Sequence, residues 1–148
     1  MRIAYIVSHP IQYQAPLLRR IAREKALDLT VLFLSDFSTR AYGDPGFGQA
    51  ISWDVDLLGG YQSKVLPAWG DRDSLGFWKP LTTGVEEELR RGDYDVVWLH
   101  GYAHHAHLRA FVEATAARDG YAREHVETIY DTKGRPTFDV FRFRKIRL

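Results

Sequence analysis

The chain opens with Met1-Arg-Ile-Ala-Tyr-Ile-Val-Ser-His-Pro-Ile-Gln-Tyr-Gln-Ala-Pro16, and this stretch decides the fold that the rest of the sequence extends. The apolar run from Ile3 to Val7 predicts a buried strand. A polar turn follows, and the spacing of apolar residues over 13–23 then predicts an amphipathic helix. A strand, a turn and a helix in this order indicate the start of a parallel α/β sheet.

The same unit is repeated along the chain. Residues 29–34 are a second apolar run, which predicts a parallel strand covered on both faces, and residues 94–99 predict another buried strand. Helices are predicted over 80–91 and 103–118, the first of them ending at a glycine. The glycine-rich stretch 35–66 predicts a hairpin or a pair of short extended segments. We therefore expect an α/β, Rossmann-like three-layer domain with a mainly parallel sheet.

Composition narrows the class of protein. A length of 148 residues predicts one domain, and a net charge of +1 gives no general reason to expect nucleic acid as a partner. Zero cysteines exclude disulfides and thiolate metal sites. The sequence contains no long apolar run and no positively flanked apolar leader, so neither a membrane span nor a signal peptide is expected. A reducing cytoplasm is the expected location.

The turn after the first strand carries hydrogen-bonding side chains where ligands gather in open α/β sheets. It has no Gly-x-Gly-x-x-Gly, so the usual argument for a dinucleotide fails, and no cofactor is predicted. The turn suits a polyhydroxylated ligand, and the alternative is that its side chains only fix the turn. No nucleophile–base pair is expected, because side chains of neighbouring residues tend to point apart. The polar residues are Ser8, His9, Gln12, Tyr13 and Gln14.

Four later stretches and the opening together resemble the N-terminal domain of bacterial glycosyltransferases of the GT-B type, which have two Rossmann domains. The resemblance is strongest to the glycosyltransferase family 4 group and covers about residues 1–118. The stretches are Asp28-Leu-Thr-Val-Leu-Phe-Leu-Ser-Asp36, Asp44-Pro-Gly-Phe-Gly48, Trp53-Asp-Val-Asp-Leu-Leu58 and Tyr94-Asp-Val-Val-Trp-Leu-His-Gly-Tyr102.

The resemblance implies a function in glycosyl transfer. In that family the N-terminal domain mostly holds the acceptor, and the C-terminal domain mostly holds the nucleotide-sugar donor. The chain is therefore expected to be the acceptor-binding half of a glycosyltransferase, with a sugar or glycan acceptor and a separate donor-binding domain as partners. Alone it is expected to be inactive and to bind nucleotide sugars weakly. The alternative is a standalone binding or assembly module, or a truncated or recombined chain without catalytic activity.

Residues just past the strand at 94–99 complete the predicted acceptor cleft. His100, Gly101, Tyr102 and His105 are expected there, beside Ser8, His9, Gln12 and Tyr13 of the first turn. No metal is predicted, although His100 and His104 are four residues apart, because no His-Glu-x-x-His carboxylate or cysteine accompanies them. His107 is expected to be exposed at the helix N-terminus.

Single charged and aromatic residues allow two interpretations. Arg40 either binds an anionic group of the acceptor or is solvated. Trp69 and Trp78 flank a polar loop and either stack on a sugar ring or pack against the domain. Trp98, inside a predicted buried strand, is expected in the core. The run Glu86-Glu-Glu88 is expected to complement its helix dipole and to form local charge pairs, not to act as catalytic carboxylates.

The tail departs from the resemblance. Residues 1–120 form the predicted glycosyltransferase-like domain, and residues 121–148 form a β-hairpin extension of it. The hairpin is expected over 126–148 with its turn at Thr132-Lys-Gly-Arg135, where glycine relieves left-handed strain. An isolated hairpin is marginally stable in water, so we expect it to dock on the sheet, on a helix or on a second chain in a homodimer. Phe138, Val140 and Ile146 would form its buried side, with a bulge at Arg144-Lys145.

Overall fold

A computed structural model describes residues 1–39, 42–44, 49–51, 55–72, 74–130 and 136–145. For residues 42–44, 49–51, 121–130 and 136–145 it describes the backbone alone. The chain divides into two compact units, Met1–Phe111 and Val112–Leu148, so the division falls inside the last helix instead of after it.

In the described part of the first unit helices are combined with strands, and five consecutive strands lie between a short 3₁₀ turn and the second helix. The 3₁₀ turn, Phe37–Thr39, follows the second strand. In chain order the strands and helices are β1 (Arg2–Val7), α1 (Ala15–Ala22), β2 (Asp28–Phe33), β3 (Tyr42–Asp44), β4 (Gln49–Ile51), β5 (Gln62–Val65), β6 (Ala68–Trp69), β7 (Leu81–Thr82), α2 (Val85–Gly92), β8 (Val96–His100), α3 (His105–Arg118), β9 (Tyr121–Tyr130) and β10 (Pro136–Lys145).

The centre of the first unit is a four-stranded sheet in the order β5-β2-β1-β8. Every neighbouring pair in it is parallel, with Val7 opposite Phe33 on one side and His100 on the other. Short antiparallel pairs join β3 to β4 and β6 to β7. The predicted α/β class with a mainly parallel sheet is confirmed.

Apolar side chains alternate along β1 and supply two clusters, one on each face of the sheet. Ile3, Tyr5 and Val7 pack with Leu18 of α1 on one face. On the other face Ala4 and Ile6 share a cluster with residues of α2 and with Ala106 and Ala110 of α3. Both faces of β1 are therefore buried, which explains why its sequence is a continuous apolar run and not an alternating one.

The fourth strand differs from its prediction because it lies at the edge of the sheet. In β8 every second residue is exposed, and Trp98 keeps 47% of its surface. The Trp98 ring meets Tyr5 edge-on, with 5.2 Å between ring centroids. The expectation that Trp98 lies in the core is wrong, since a strand with only one sheet neighbour in the described chain leaves part of its surface open.

The helix predicted from Pro80 begins five residues later. Leu81 and Thr82 form β7 instead, pairing with β6, and Gly84 adopts a positive φ of 80° before α2 starts at Val85. Thr82 is fully buried, and its hydroxyl donates to the carbonyl oxygen of Leu34 over 2.6 Å. This tertiary bond and the pairing with β6 override the local helical pattern.

Replacing Thr82 with valine should lower the free energy of unfolding by about 1–3 kcal/mol, because the buried Leu34 carbonyl loses its donor at nearly unchanged side-chain volume. Urea unfolding measures the effect. Thr83→Val is the matched control, since the Thr83 hydroxyl lies in a more exposed position, 3.3 Å from the Pro67 carbonyl oxygen. Equal losses in the two variants would contradict the assignment.

The charged residues of α2 have divided roles. Glu87 pairs with Arg90 and Arg91 on the same helix, as the sequence predicts. Glu88 pairs with Lys64 of β5. Glu86 is buried and binds Arg109 of α3, so this part of the acidic run fixes one helix to another and does not form a purely local pair.

The tail forms an antiparallel pair, β9 with β10, which agrees with the predicted hairpin but begins at Tyr121. Its register shifts lie between Pro136 and Phe138 and between Val140 and Phe141, not at Arg144-Lys145. The predicted turn at 132–135, the side chains of the tail and Ile146 lie outside the described residues. Docking of the hairpin and the homodimer therefore remain predictions. None of the described helices combines the length and apolar character that a membrane span requires.

Candidate functional site

The region past the carboxyl ends of β1 and β8, which we call the crevice, is the place where the order of the parallel strands reverses. If the four parallel strands are numbered 1 to 4 in chain order, their order across the sheet is 3-2-1-4. This order reverses direction at β1. The chain leaves β1 towards α1 on one face and leaves β8 towards α3 on the other. Ligands of open α/β sheets bind at such a reversal, past the carboxyl ends of the strands. The turns after Val7 and His100 lie at this edge, as predicted from the sequence.

The turn after β1 is held in place by the turn after β2. Ser38 donates its hydroxyl to the carbonyl oxygen of Pro10, and the His9 ring meets Phe37 edge-on at 5.7 Å between centroids. Ser8 Oγ lies 2.9 Å from His9 Nδ1. The expectation that these neighbouring side chains point apart is wrong. Burial lowers the pKa of His9 to about 4, so at neutral pH its imidazole is uncharged and both donates and accepts hydrogen bonds.

Gln14 connects the two strand ends. Its Nε2 lies 2.7 Å from Nε2 of His100, so the amide N–H donates to an unprotonated imidazole nitrogen. Gln14 is buried, with 3% of its surface exposed. Its Oε1 is buried and has no hydrogen-bond partner among the described residues. The crevice therefore contains an acceptor with unmet hydrogen-bonding capacity.

His107 is the second polar group with unmet capacity near His100. It is 3% exposed, and neither ring nitrogen has a partner in the described part of the chain. Gly101 has a φ of 111°, and a Cβ there would stand 3.6 Å from His107 Cε1, so the ring lies against the Gly101 backbone. Burial, with the nearby His104 and His100, lowers the pKa of His107 to about 4. The expectation that His107 is exposed is wrong.

His104 and His105 serve the fold. His104 Nε2 donates to the carbonyl oxygen of Pro80 over 2.8 Å, and its Nδ1 accepts the Ala106 N–H over 3.2 Å. His105 Nε2 accepts the Thr82 N–H over 3.2 Å. The His105 ring also stacks on Trp78, with 5.3 Å between centroids. These imidazoles tie the start of α3 to the segment before α2, so His105 has a structural use that the sequence did not suggest.

The remaining predicted site residues are distributed around the crevice. Gln12 is half-buried, while Tyr13 and Tyr102 are 73% and 83% exposed on the turns after β1 and β8. Gly101 supplies the backbone against which His107 lies. Arg40 lies outside the described residues.

The sequence predicts Gln14 only as one polar residue of the first turn, and it does not place His107 in the site. Gln14 lies in the first turn, directly before the helix and next to Ala15. This position indicates that its side chain faces the sheet. His107 gave a weaker signal, since Ala106 and Ala110 mark the buried face of α3 but do not by themselves bury position 107. Both residues depend on tertiary contacts with the turn after β8.

The backbone N–H groups at this edge of the sheet already donate hydrogen bonds within the protein, so few of them are available to bind an anionic ligand. The N–H of His105 donates to the Phe77 carbonyl oxygen, and that of Ala106 donates to His104. At the start of α1 the Ala15 N–H is bonded to Ile11, and Pro16 has no N–H. A helix N-terminus binds phosphate through free N–H groups, and these two offer few. Within the described residues no three potential metal ligands converge either.

Fold and site together define an α/β domain with a parallel sheet and a set of hydrogen-bonding side chains at its topological switch point. Comparisons with protein families, with curated proteins and with solved structures found no match.

Proposed function

We propose that this Rossmann-like, three-layer domain binds the acceptor in glycosyl transfer, with the nucleotide-sugar donor held by another domain. One observation carries the proposal. Gln14 and His107 are buried polar side chains beside His100 at the switch point, and both have hydrogen-bonding atoms without a partner in the described chain. Buried polar atoms are nearly always paired in native proteins, so unpaired ones in a ligand-binding crevice favour a ligand that completes them.

A neutral, hydroxyl-rich ligand fits this set of groups. The Gln14 carbonyl accepts a hydrogen bond from a hydroxyl, and an uncharged imidazole either accepts or donates one. The neighbouring Ser8 hydroxyl and His9 ring extend the same chemistry along the turn after β1. Because Gln14 Oε1 and both ring nitrogens of His107 have no hydrogen-bond partner among the described residues, hydrogen bonds and not charge would select the ligand.

The same arrangement disfavours a nucleotide sugar as the ligand of this crevice. A diphosphate needs free backbone N–H groups, cations or a metal ion to neutralise it. The N–H groups of His105 and Ala106 are bonded within the protein. We therefore assign the acceptor to this domain, and the roles of its residues are binding roles.

Saturation-transfer NMR with neutral sugars, anionic sugars and nucleotide sugars tests the proposal. Neutral saccharides should bind, and Gln14→Leu should weaken their affinity about tenfold, because one buried hydrogen bond to the ligand is lost and a hydroxyl is left facing an apolar group. Gln62→Leu is the matched control, since Gln62 is exposed and contacts Thr30 at the other end of the sheet.

Two outcomes would overturn this function. Binding of nucleotide sugars in preference to neutral saccharides would place the donor, not the acceptor, in the crevice. Binding of no saccharide at all would favour the alternative, a standalone binding or assembly module.

A further inference from the structure

A second concave surface lies at the same edge of the sheet, past the ends of β2 and β5. It is a cleft of about 390 Å³, lined by residues 65–69 together with Asp36 and Arg72. Residues 65–68 give it an apolar floor, and Asp36 and Arg72 place two charged side chains at its wall. An apolar surface with a few converging polar groups is typical of a small-molecule site.

Trp69 gives the cleft an aromatic wall. Its side chain is 70% exposed, although its backbone is fixed by the pairing of β6 with β7, opposite Leu81. A large, exposed aromatic ring offers a flat apolar surface to a ligand. Such a surface fits the C–H face of a sugar ring, whereas the ring N–H remains available for a hydrogen bond.

Asp36 and Arg72 neutralise each other. Arg72 Nη2 lies 3.0 Å from Asp36 Oδ2, so the pair holds both side chains in one arrangement. Arg72 Nε has no acceptor within the described residues. A fixed carboxylate and a fixed guanidinium can accept from and donate to neighbouring hydroxyls of one ring. Since the charges of the pair cancel, the cleft does not select an anion.

The cleft adjoins the crevice at the ends of β1 and β8. Asp36 is followed directly by Phe37, whose ring meets His9, and by Ser38, whose hydroxyl donates to Pro10. A single turn therefore has Asp36 in the cleft and Phe37 against the crevice. We propose that the cleft is a second saccharide subsite, in which Trp69 stacks on a neutral sugar ring and the Asp36–Arg72 pair binds its hydroxyls. The acceptor would then be an oligosaccharide spanning both surfaces.

This inference rests on the proposed function for the class of ligand, and a tryptophan probe tests it at the cleft itself. The four tryptophans would be labelled as 5-fluorotryptophan and followed by ¹⁹F NMR, with Trp69→Phe assigning one resonance. Neutral oligosaccharides should shift the Trp69 resonance. Trp69→Ala should weaken their binding about tenfold, in line with the worth of an aromatic contact.

Trp78→Ala is the matched control, because Trp78 is 58% exposed and lies outside the cleft lining. Arg72→Met removes the guanidinium without touching the indole, so it should weaken binding even if Trp69→Ala alters the fold. Unchanged affinity in both Trp69→Ala and Arg72→Met would overturn the subsite.

The results separate the two proposals. Loss of binding in Trp69→Ala with no effect of Gln14→Leu would support the subsite and remove the crevice from acceptor binding. The reverse pattern would overturn the subsite and leave the proposed function standing. Preference for phosphorylated sugars over neutral ones at the Trp69 resonance would also overturn the subsite.

Discussion

The free energy of unfolding is expected to fall by about 4 kcal/mol between pH 7.5 and pH 5 through His105 and His107 alone. Burial lowers the pKa of each to about 4 in the folded protein, against about 6.5 in the unfolded chain. The unfolded state therefore takes up protons first as the pH falls, and stability is lost from pH 6.5 downwards. Each imidazole contributes about 2 kcal/mol over this range.

The contacts around the His105 and His107 rings explain why the pKa of each is lowered. His105 Nε2 accepts the Thr82 N–H, and protonating it would break that bond. The charge of Arg109 lowers the pKa of His105 further, and any charge on His104 lowers the pKa of both His105 and His107. Burial also lowers the pKa of His9 and His104, which adds in the same direction. Because carboxylates ionise near pH 4, the change in the free energy of unfolding between pH 6.5 and 5 comes mainly from the histidines.

Urea unfolding at several pH values measures this dependence. His105→Gln is the informative variant, because an amide oxygen can accept the Thr82 N–H but does not titrate, so the loss between pH 7.5 and 5 should shrink by about 2 kcal/mol. NMR of the imidazole nitrogens in the folded protein gives a second measure, and both rings should remain neutral at pH 5. A constant free energy of unfolding over this interval would contradict the buried, neutral histidines.

Much of the sheet could be predicted from the sequence because its strands are marked by local composition. The runs at 3–7 and 29–34 place apolar residues on both faces, as buried parallel strands require, and they lie in neighbouring parallel strands. The edge position of β8 could not be predicted in this way, because an apolar run does not show whether a strand has neighbours on both sides. Trp98 was misplaced for that reason.

The candidate site could be located but not resolved in detail. Topology alone predicts that ligands gather past β1 and β8. It therefore predicts Ser8, His9 and His100 as site residues. The contacts that bury His104 and His105 come from Pro80 and Thr82, which lie more than twenty residues earlier in the chain. No local pattern encodes such a contact. Gln14 likewise acquires its role only through its bond to His100.

The second large effect is expected at the ion pair that joins α2 to α3. Arg109 Nε lies 2.5 Å from Glu86 Oε1, and its Nη2 lies 2.9 Å from Oε2, so the guanidinium binds the carboxylate with two parallel hydrogen bonds. Glu86 is 6% exposed. Arg109→Met should lower the free energy of unfolding by about 3–5 kcal/mol, because a buried carboxylate loses the cation that offsets its desolvation.

Arg91→Met provides the matched control. The side chain of its partner Glu87 is 46% exposed, and their 2.9 Å contact should contribute less than about 0.5 kcal/mol. A double variant, Glu86→Met with Arg109→Met, separates charge from packing. If desolvation dominates, the double variant should recover most of the stability that Arg109→Met loses, since no buried charge remains. A double variant less stable than either single one would instead show that the pair stabilises the fold beyond neutralising its own charges.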